Sequence, residues 1–250
     1  MNESVRGLIL KQIDYRESDV ILSVLTEEYG KLSFLAAGAR KISSKNAGAI
    51  IPCTIAEIQF DWHMNRSVQR LKTARAKKMY PRIHRDLNAS ACAMMMAETA
   101  DVMTLAEDEL GTAEAEAQLL EKGWDALEAG HRGDLITALY LADMMKLFGI
   151  EPDVDECVRC GSLSVSAVSA EDGGFLCPDC AAKAGVQPLP AEQLRQFRLI
   201  VKAGLTHIDH VLEKTDGRFS GLGYLSAMIR LHAGVSLRSF DLVGRLFAIE

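Results

Sequence analysis

The sequence predicts an α+β chain in which a small five-stranded β domain precedes an α-helical domain interrupted by a four-cysteine element. Three observations carry this. Residues 1–80 alternate apolar and polar side chains between turn-forming residues. Beyond Pro81 the texture changes to Ala-, Leu- and Met-rich runs at helical spacing. Two CxxC pairs, Cys157/Cys160 and Cys177/Cys180, lie sixteen residues apart within the helical part.

The elements follow in order. "ESVRGLILKQIDY" and "SDVILSVLTE" read as strands rich in aliphatic residues, and the turn "EYGK" leads to a third, "LSFLAAGA". "CTIAEIQFDW" alternates cleanly, with Ala56, Ile58 and Phe60 on one face and Glu57, Gln59 and Asp61 on the other. An "HMN" turn precedes the fifth strand, "RSVQRLKTAR". Five strands in this length suit a small barrel or sandwich. "DLNASACAMMMAETADVMTLAEDE" reads as the first helix, with Asp86 or Asn88 as its cap and Met94, Met95, Val102 and Leu105 near one face. "TAEAEAQLLEKGWDALEAG" is a second helix, stopped at Gly130, and "LITALYLADMMKLFG" a third, capped by Asp134 and closed by Gly149. "LPAEQLRQFRLIVKAG", "GLGYLSAMIRLHAG" and "SLRSFDLVGRLFAI" complete the helices. The predicted organisation is a β domain over 1–80 and a helical domain over 81–250, with the cysteine element at about 152–185.

The chain of 250 residues is 48% hydrophobic, enough for a core. Its start lacks the apolar run of a signal peptide, and no stretch matches a membrane helix, so a cytoplasmic protein is expected. The net charge of −6 conceals a partition. Residues 1–80 carry 13 Lys and Arg against 8 acids, and residues 81–250 carry 15 against 26. A basic first third joined to an acidic remainder implies different partners for the two regions.

In a reducing compartment, paired CxxC motifs favour metal over disulfide. Four thiolates on two tight turns suit one tetrahedral Zn2+, and this spacing falls in the usual window for such sites. Gly161 after Cys160 permits a tight turn, and Pro178 stiffens the second pair. The intervening "SLSVSAVSAEDGGFL" reads as a hairpin with "EDGG" at its tip. The alternatives are redox dithiols or buried free cysteines. Four protein thiolates leave no open coordination position, so the zinc would be structural. Cys53 and Cys92 lie in apolar patterns and read as small hydrophobes.

Two stretches are basic and free of acids. "GARKISSKNAG" carries Arg40, Lys41 and Lys45; "RSVQRLKTARAKK" carries Arg66, Arg70, Lys72, Arg75, Lys77 and Lys78. Tyr15, Phe34, Trp62 and Tyr80 are near in sequence. A small barrel with basic loops and accessible aromatics can follow a phosphate backbone while bases stack; a solvated face with core aromatics is the plainer reading. Because strand residues alternate faces, only some of these cations should point at a ligand. No nucleotide-loop, nucleophile-elbow or zinc-protease motif is present. The "HIDH" pair, His207 and His210, makes a weak metal case, and "EDE" at Glu107 to Glu109 reads as a solvated helix end.

"GLILKQIDYRESDVILSVLTEEYGKLSFLAAGARK" followed by "GAIIPCTIAEIQF" resembles the start of the RecO family of bacterial recombination mediators. The matching positions are Tyr15, Glu17, Ser18 and Asp19; then Thr26, Glu28, Gly30 and Lys31; then Gly38, Ala39 and Arg40. "LYLADMMKLFGIEPDVDECVRCG" resembles that family's helix leading into its zinc element, and "LHAGVSLRSFDLV" its closing segment. The resemblance implies an N-terminal OB-fold, a C-terminal helical bundle and an inserted four-cysteine zinc element. It further implies a non-enzymatic role. The protein would bind single- and double-stranded DNA, anneal complementary strands, and work with RecR and single-strand-binding protein to load RecA, with RecF a further partner. Some family members lack the cysteines, which separates zinc from the shared activity. Asp241 and the acidic 89–129 stretch depart from the family pattern.

On this reading Arg40, Lys41 and Lys45 grip phosphates from one loop, while Arg66, Arg70, Lys72 and Arg75 line a strand and its exit. A different class of reading is a protein-interaction adaptor that binds partners through its zinc element and helices without touching nucleic acid. A zinc-dependent hydrolase is a third, at odds with the closed coordination.

Overall fold

The computed structural model describes residues 2–63, 66–104, 111–215 and 219–249. The chain forms two compact units, Met1–Gly130 and His131–Glu250.

In the first unit, β1 (Asn2–Tyr15), β2 (Asp19–Thr26), β3 (Gly30–Ala36), β4 (Ile55–Asp61) and β5 (Val68–Lys78) close into a barrel in the order β1-β2-β3-β5-β4. β4 returns to β1, and every pairing is antiparallel except β3 with β5, where Ser33–Leu35 meet Val68–Arg70 in parallel. This is the OB-type closed barrel, not a sandwich. The interior is filled from all five strands, including Val5, Ile9, Leu22, Val24, Phe34, Ile58, Phe60 and Leu71. Phe34 and Phe60 meet edge to face with centroids 5.0 Å apart. The predicted face of Ala56, Ile58 and Phe60 is fully buried.

Two helices belong with the barrel. α1 (Leu87–Met103) packs on β1 and β2, and α2 (Ala113–Glu128) packs on α1 and β2. Leu8, Leu10 and Leu25, absent from the barrel's interior cluster, are buried as well. Asp86 caps α1, accepting the Ala89 amide at 2.9 Å. Trp124 of α2 donates to the Ala93 carbonyl of α1 at 3.3 Å. Ion pairs complete the attachment. Arg6 bonds Glu121, while Lys78 reaches Glu121 at 3.1 Å and Asp125 at 2.6 Å; Lys31 donates to the Asp101 carbonyl. Part of the predicted charge partition is therefore internal neutralisation. Acids of the "acidic" region hold cations of the "basic" one.

In the second unit, α3 (Gly133–Leu147) is buried along most of its length, with α5 (Ala191–Ala203) and α7 (Leu222–Met228) against it. Phe197 of α5 contacts both Phe175 and Tyr224. The Asp143 carboxylate of α3 accepts the Leu205 amide at 2.7 Å. β6 (Ala167–Ser169) and β7 (Gly174–Leu176) form the predicted hairpin, α4 (Pro178–Ala184) follows it, and α6 (Ile208–Lys214) and α8 (Phe240–Phe247) complete the unit. Among the described residues no helix is long and apolar enough to cross a membrane.

Some expectations fail locally. Asp134 does not cap α3. The helix begins two residues earlier, with Arg132 as its N-cap, whose carbonyl accepts the Ile136 amide, and Asp134 is buried in an ion pair with Arg132 at 2.8 Å. Met94 and Val102 lie on the exposed side of α1, whose buried residues include Cys92, Met95, Met96 and Met103. Leu105, Glu107 to Glu109 and part of the "HMN" turn lie outside the described residues.

Candidate nucleic-acid interface and metal centre

Alternation alone would split the cations of β5 between two faces. A bulge prevents this. Phe60 pairs with Leu71 but Gln59 pairs with Thr73, so Lys72 is the extra residue. The phase shifts there, with Gln69, Leu71 and then Ala74 buried, and Arg70, Lys72, Thr73, Arg75 and Lys77 exposed. One outer surface thus carries Arg70, Lys72, Arg75 and Lys77, with Arg66 exposed just before the strand. Buried Gln69 orders that approach. Its amide donates to the His63 and Arg66 carbonyls at 3.0 and 2.9 Å and accepts the His63 amide at 3.1 Å.

The β3–β4 connection brings its own cations alongside. The Asp19 carboxylate accepts the Gly38 amide at 2.8 Å, and the Arg40 amide donates to the Ser18 carbonyl at 2.9 Å. Gly38, at φ +65°, takes a conformation that favours glycine. Two motifs nineteen residues apart in sequence, at Ser18–Asp19 and Gly38–Arg40, are therefore halves of one clamp. At the far end of the loop, Asn46 accepts the Ala74 amide at 3.0 Å and donates to the Lys72 carbonyl at 3.3 Å. Lys45 is thereby held beside β5, and it lines an open groove with Arg75, Glu57, Gln59, Thr73 and Met79.

Neutralisation is uneven across this surface. Arg40 pairs with Asp14 at 3.0 Å, Lys72 with Asp61 at 2.6 Å and Lys77 with Glu57 at 2.8 Å. Lys77 and, less strongly, Ser4 and Arg75 hold the Glu57 carboxyl below its ordinary range; Lys72 does the same for Asp61. Lys41, Lys45, Arg66, Arg70 and Arg75 form no ion pair among the described residues. The structure does not bring all seven predicted cations to one point. Lys45, Lys72 and Arg75 are gathered through Asn46, Arg66 and Arg70 extend along β5, and Arg40 and Lys41 stand by the β1–β2 turn.

The aromatics depart from the stacking expectation. Phe34 and Tyr80 are fully buried in packing contacts. Trp62 is half-buried and stacked on Tyr29 with centroids 5.1 Å apart. Tyr15 is exposed, with the Arg16 guanidinium 5.1 Å from its ring centre. Strand alternation marks Phe34 as inward; the burial of Tyr80 depends on Trp124, far away in sequence.

In the second unit the four cysteine sulfurs lie within 4.8 Å of one another, and such a cluster could hold a metal ion. It is the one such cluster among the described residues, and "HIDH" forms none. Cys157 and Cys177 are buried, Cys180 is half-buried and Cys160 is exposed. The first pair sits on a turn closed by the Cys160 and Gly161 amides donating to the Cys157 carbonyl. The second pair opens α4, with Pro178 in its first turn. Burial opposes ionisation of Cys157, but the Cys177, Arg159 and Cys160 amides outweigh it and hold the thiol at about 6. Four converging sulfurs fit a thiophilic cation.

The surroundings position the two turns. Arg159 makes a two-point ion pair with Asp172 at the hairpin tip, at 2.7 and 3.0 Å. The Val158 amide donates to Phe175 and the Phe175 amide to Asp153. Gly174 has no room for a side chain, since a Cβ there would stand 2.2 Å from the Asp153 carbonyl oxygen. The apolar cluster around the thiols is small, with Cys157, Ala167, Leu176, Cys177 and Ala181 as its buried members. Cys53 and Cys92, in the first unit, are buried as small hydrophobes, and burial pushes the Cys53 thiol up to about 12.

Fold and site together define a class of protein: an OB-type barrel with a cationic outer strand, joined to a helical unit that carries a four-thiol centre. Residues 1–80 match the family model described as "Recombination protein O N terminal", and residues 84–240 match "Recombination protein O C terminal". A DNA repair protein RecO from Exiguobacterium sp. is 27% identical over 251 residues, spanning 100% of this chain and 98% of its own. The RecO of Exiguobacterium sibiricum is 33% identical over 71% of this chain and 70% of its own. That of Anaeromyxobacter sp. strain Fw109-5 is 31% identical over 96% of each. The chain belongs to the RecO family of DNA repair proteins.

Proposed function

We propose that this protein is a mediator of DNA repair and homologous recombination that acts without turnover. Its barrel, residues 1–80, binds single- and double-stranded DNA, anneals complementary strands, and helps load RecA onto strands coated with single-strand-binding protein. RecR and single-strand-binding protein are its partners, with RecF a further one, and its place is the cytoplasm, at the nucleoid. The observation that supports this best is the outward row on β5 and its neighbouring loop, where Lys41, Lys45, Arg66, Arg70 and Arg75 form no ion pair among the described residues. Phosphates would supply the missing counter-charge. Arg40 and Lys72 join them by exchanging Asp14 and Asp61 for phosphate. Two strands held this way are neutralised while their bases stay free to pair.

Cys157, Cys160, Cys177 and Cys180 would hold one structural Zn2+, which contributes folding energy to an element with few apolar residues of its own. The helices of 81–250, the first two packed on the barrel and the rest in the unit that carries the thiols, would then present a stable surface to protein partners. The test is annealing of complementary strands precoated with single-strand-binding protein, with metal content assayed on the same sample. Accelerated annealing that disappears when Lys41, Arg70 and Lys72 are changed to Glu supports the proposal. Partner binding without any effect on DNA would instead favour the adaptor.

A further inference from the structure

Ile42 is fully exposed, more so than any other large apolar side chain among the described residues. A single exposed aliphatic residue is ordinary; its setting here is not. The loop carrying it is pinned at one end by the Asp19–Gly38 and Ser18–Arg40 bonds and at the other by Asn46 on β5. Between these pins the Lys41 amide donates to the Gly38 carbonyl at 3.1 Å and the Ser44 amide to the Lys41 carbonyl at 2.9 Å. Two successive turns thus place Ile42 at an apex. Arg40 and Lys41 precede it, Lys45 follows, and no acid lies between Gly38 and Gly48. An apolar tip between cations, on a backbone already ordered, matches a ligand that alternates anionic groups with flat apolar faces. Nucleic acid has that chemistry.

We propose that Ile42 is a wedge that packs between neighbouring bases of single-stranded DNA while Lys41 and Lys45 hold the adjoining phosphates. This rests on the reading of the barrel as a DNA-binding unit. Insertion opens one base step and presents its edges for pairing with an incoming strand.

The test compares wild type, Ile42→Ala, Ile42→Leu and Lys41→Ala in binding an oligonucleotide that carries one 2-aminopurine, over a range of salt. Unstacking raises the fluorescence of that base. Ile42→Ala should bind about tenfold more weakly and lose the fluorescence rise, with the salt slope unchanged. Ile42→Leu should retain both, and Lys41→Ala should lower the slope by about 0.7. Ile42 is exposed, so none of its variants should alter folding. If Ile42→Ala binds like wild type, or acts by lowering the slope, the wedge is overturned while the barrel reading stands. If wild type shows no salt-dependent binding, both fall.

Discussion

The uneven neutralisation on the barrel surface yields a quantitative expectation. For single strands, each phosphate neutralised contributes about 0.7 to the slope of log affinity against log salt. If the five cations that form no ion pair among the described residues, Lys41, Lys45, Arg66, Arg70 and Arg75, each meet one phosphate, the slope should be about −3.5; Arg40 and Lys72 add little, because each frees a carboxylate that recruits a cation when it moves to phosphate. Affinity should then fall by about 100-fold between 50 and 200 mM monovalent salt. Changing Arg70 or Arg75 to Ala should reduce the slope by about 0.7 each. Lys77→Ala is the internal control. Lys77 shares the same exposed face but is paired with Glu57 at 2.8 Å, so its loss should leave the slope nearly unchanged. Anisotropy titrations of a labelled oligonucleotide at five or six salt concentrations would read this directly. A flat dependence, or a Lys77→Ala effect equal to that of Arg70→Ala, would refute the assignment of the unpaired cations.

Three further outcomes are expected. Cys177→Ser should abolish stoichiometric metal binding, read by a chromogenic chelator after thiol blocking. Amide exchange should rise across 157–185 and stay unchanged in the barrel. Gly174→Ala forces a Cβ toward the Asp153 carbonyl and the Val158 methyl, so it should destabilise the metal element by about 1–3 kcal/mol and weaken metal retention in competition with a chelator. Burial opposes ionisation of Glu121, but Arg6 and Lys78 outweigh it, so its folded carboxyl lies below the ordinary range. That contribution is complete above its unfolded value of about 4.3 and is lost as pH falls through the folded one; Glu121→Gln should flatten this acid limb in thermal melts of the intact chain.

The strands were legible because alternation and turn chemistry are local. Ala56, Ile58 and Phe60 show their buried face without any knowledge of the partner strand. The four thiols were legible because CxxC spacing encodes ligand geometry. What escaped sequence reading depends on distant pairing. The bulge at Lys72 appears only once β4 is laid against β5, and it overturns the parity that would have set Arg75 apart from Arg70. The charge partition looked like two surfaces until Glu121 and Asp125 were seen to close on Arg6 and Lys78. α1 misled for another reason. With Ala and Met nearly all round, it carries little amphipathic signal to say which side is buried.

Asn46 has a consequence beyond aligning cations. β3 leaves β5 after Arg70, so the flank of β5 at Lys72 and Ala74 would be an open hydrogen-bonding rim. A lone carboxamide fills both vacancies, imitating one rung of a missing strand. An unguarded rim invites neighbouring molecules to add strands of their own. Removal of Asn46 should therefore reveal itself first as self-association rather than as unfolding.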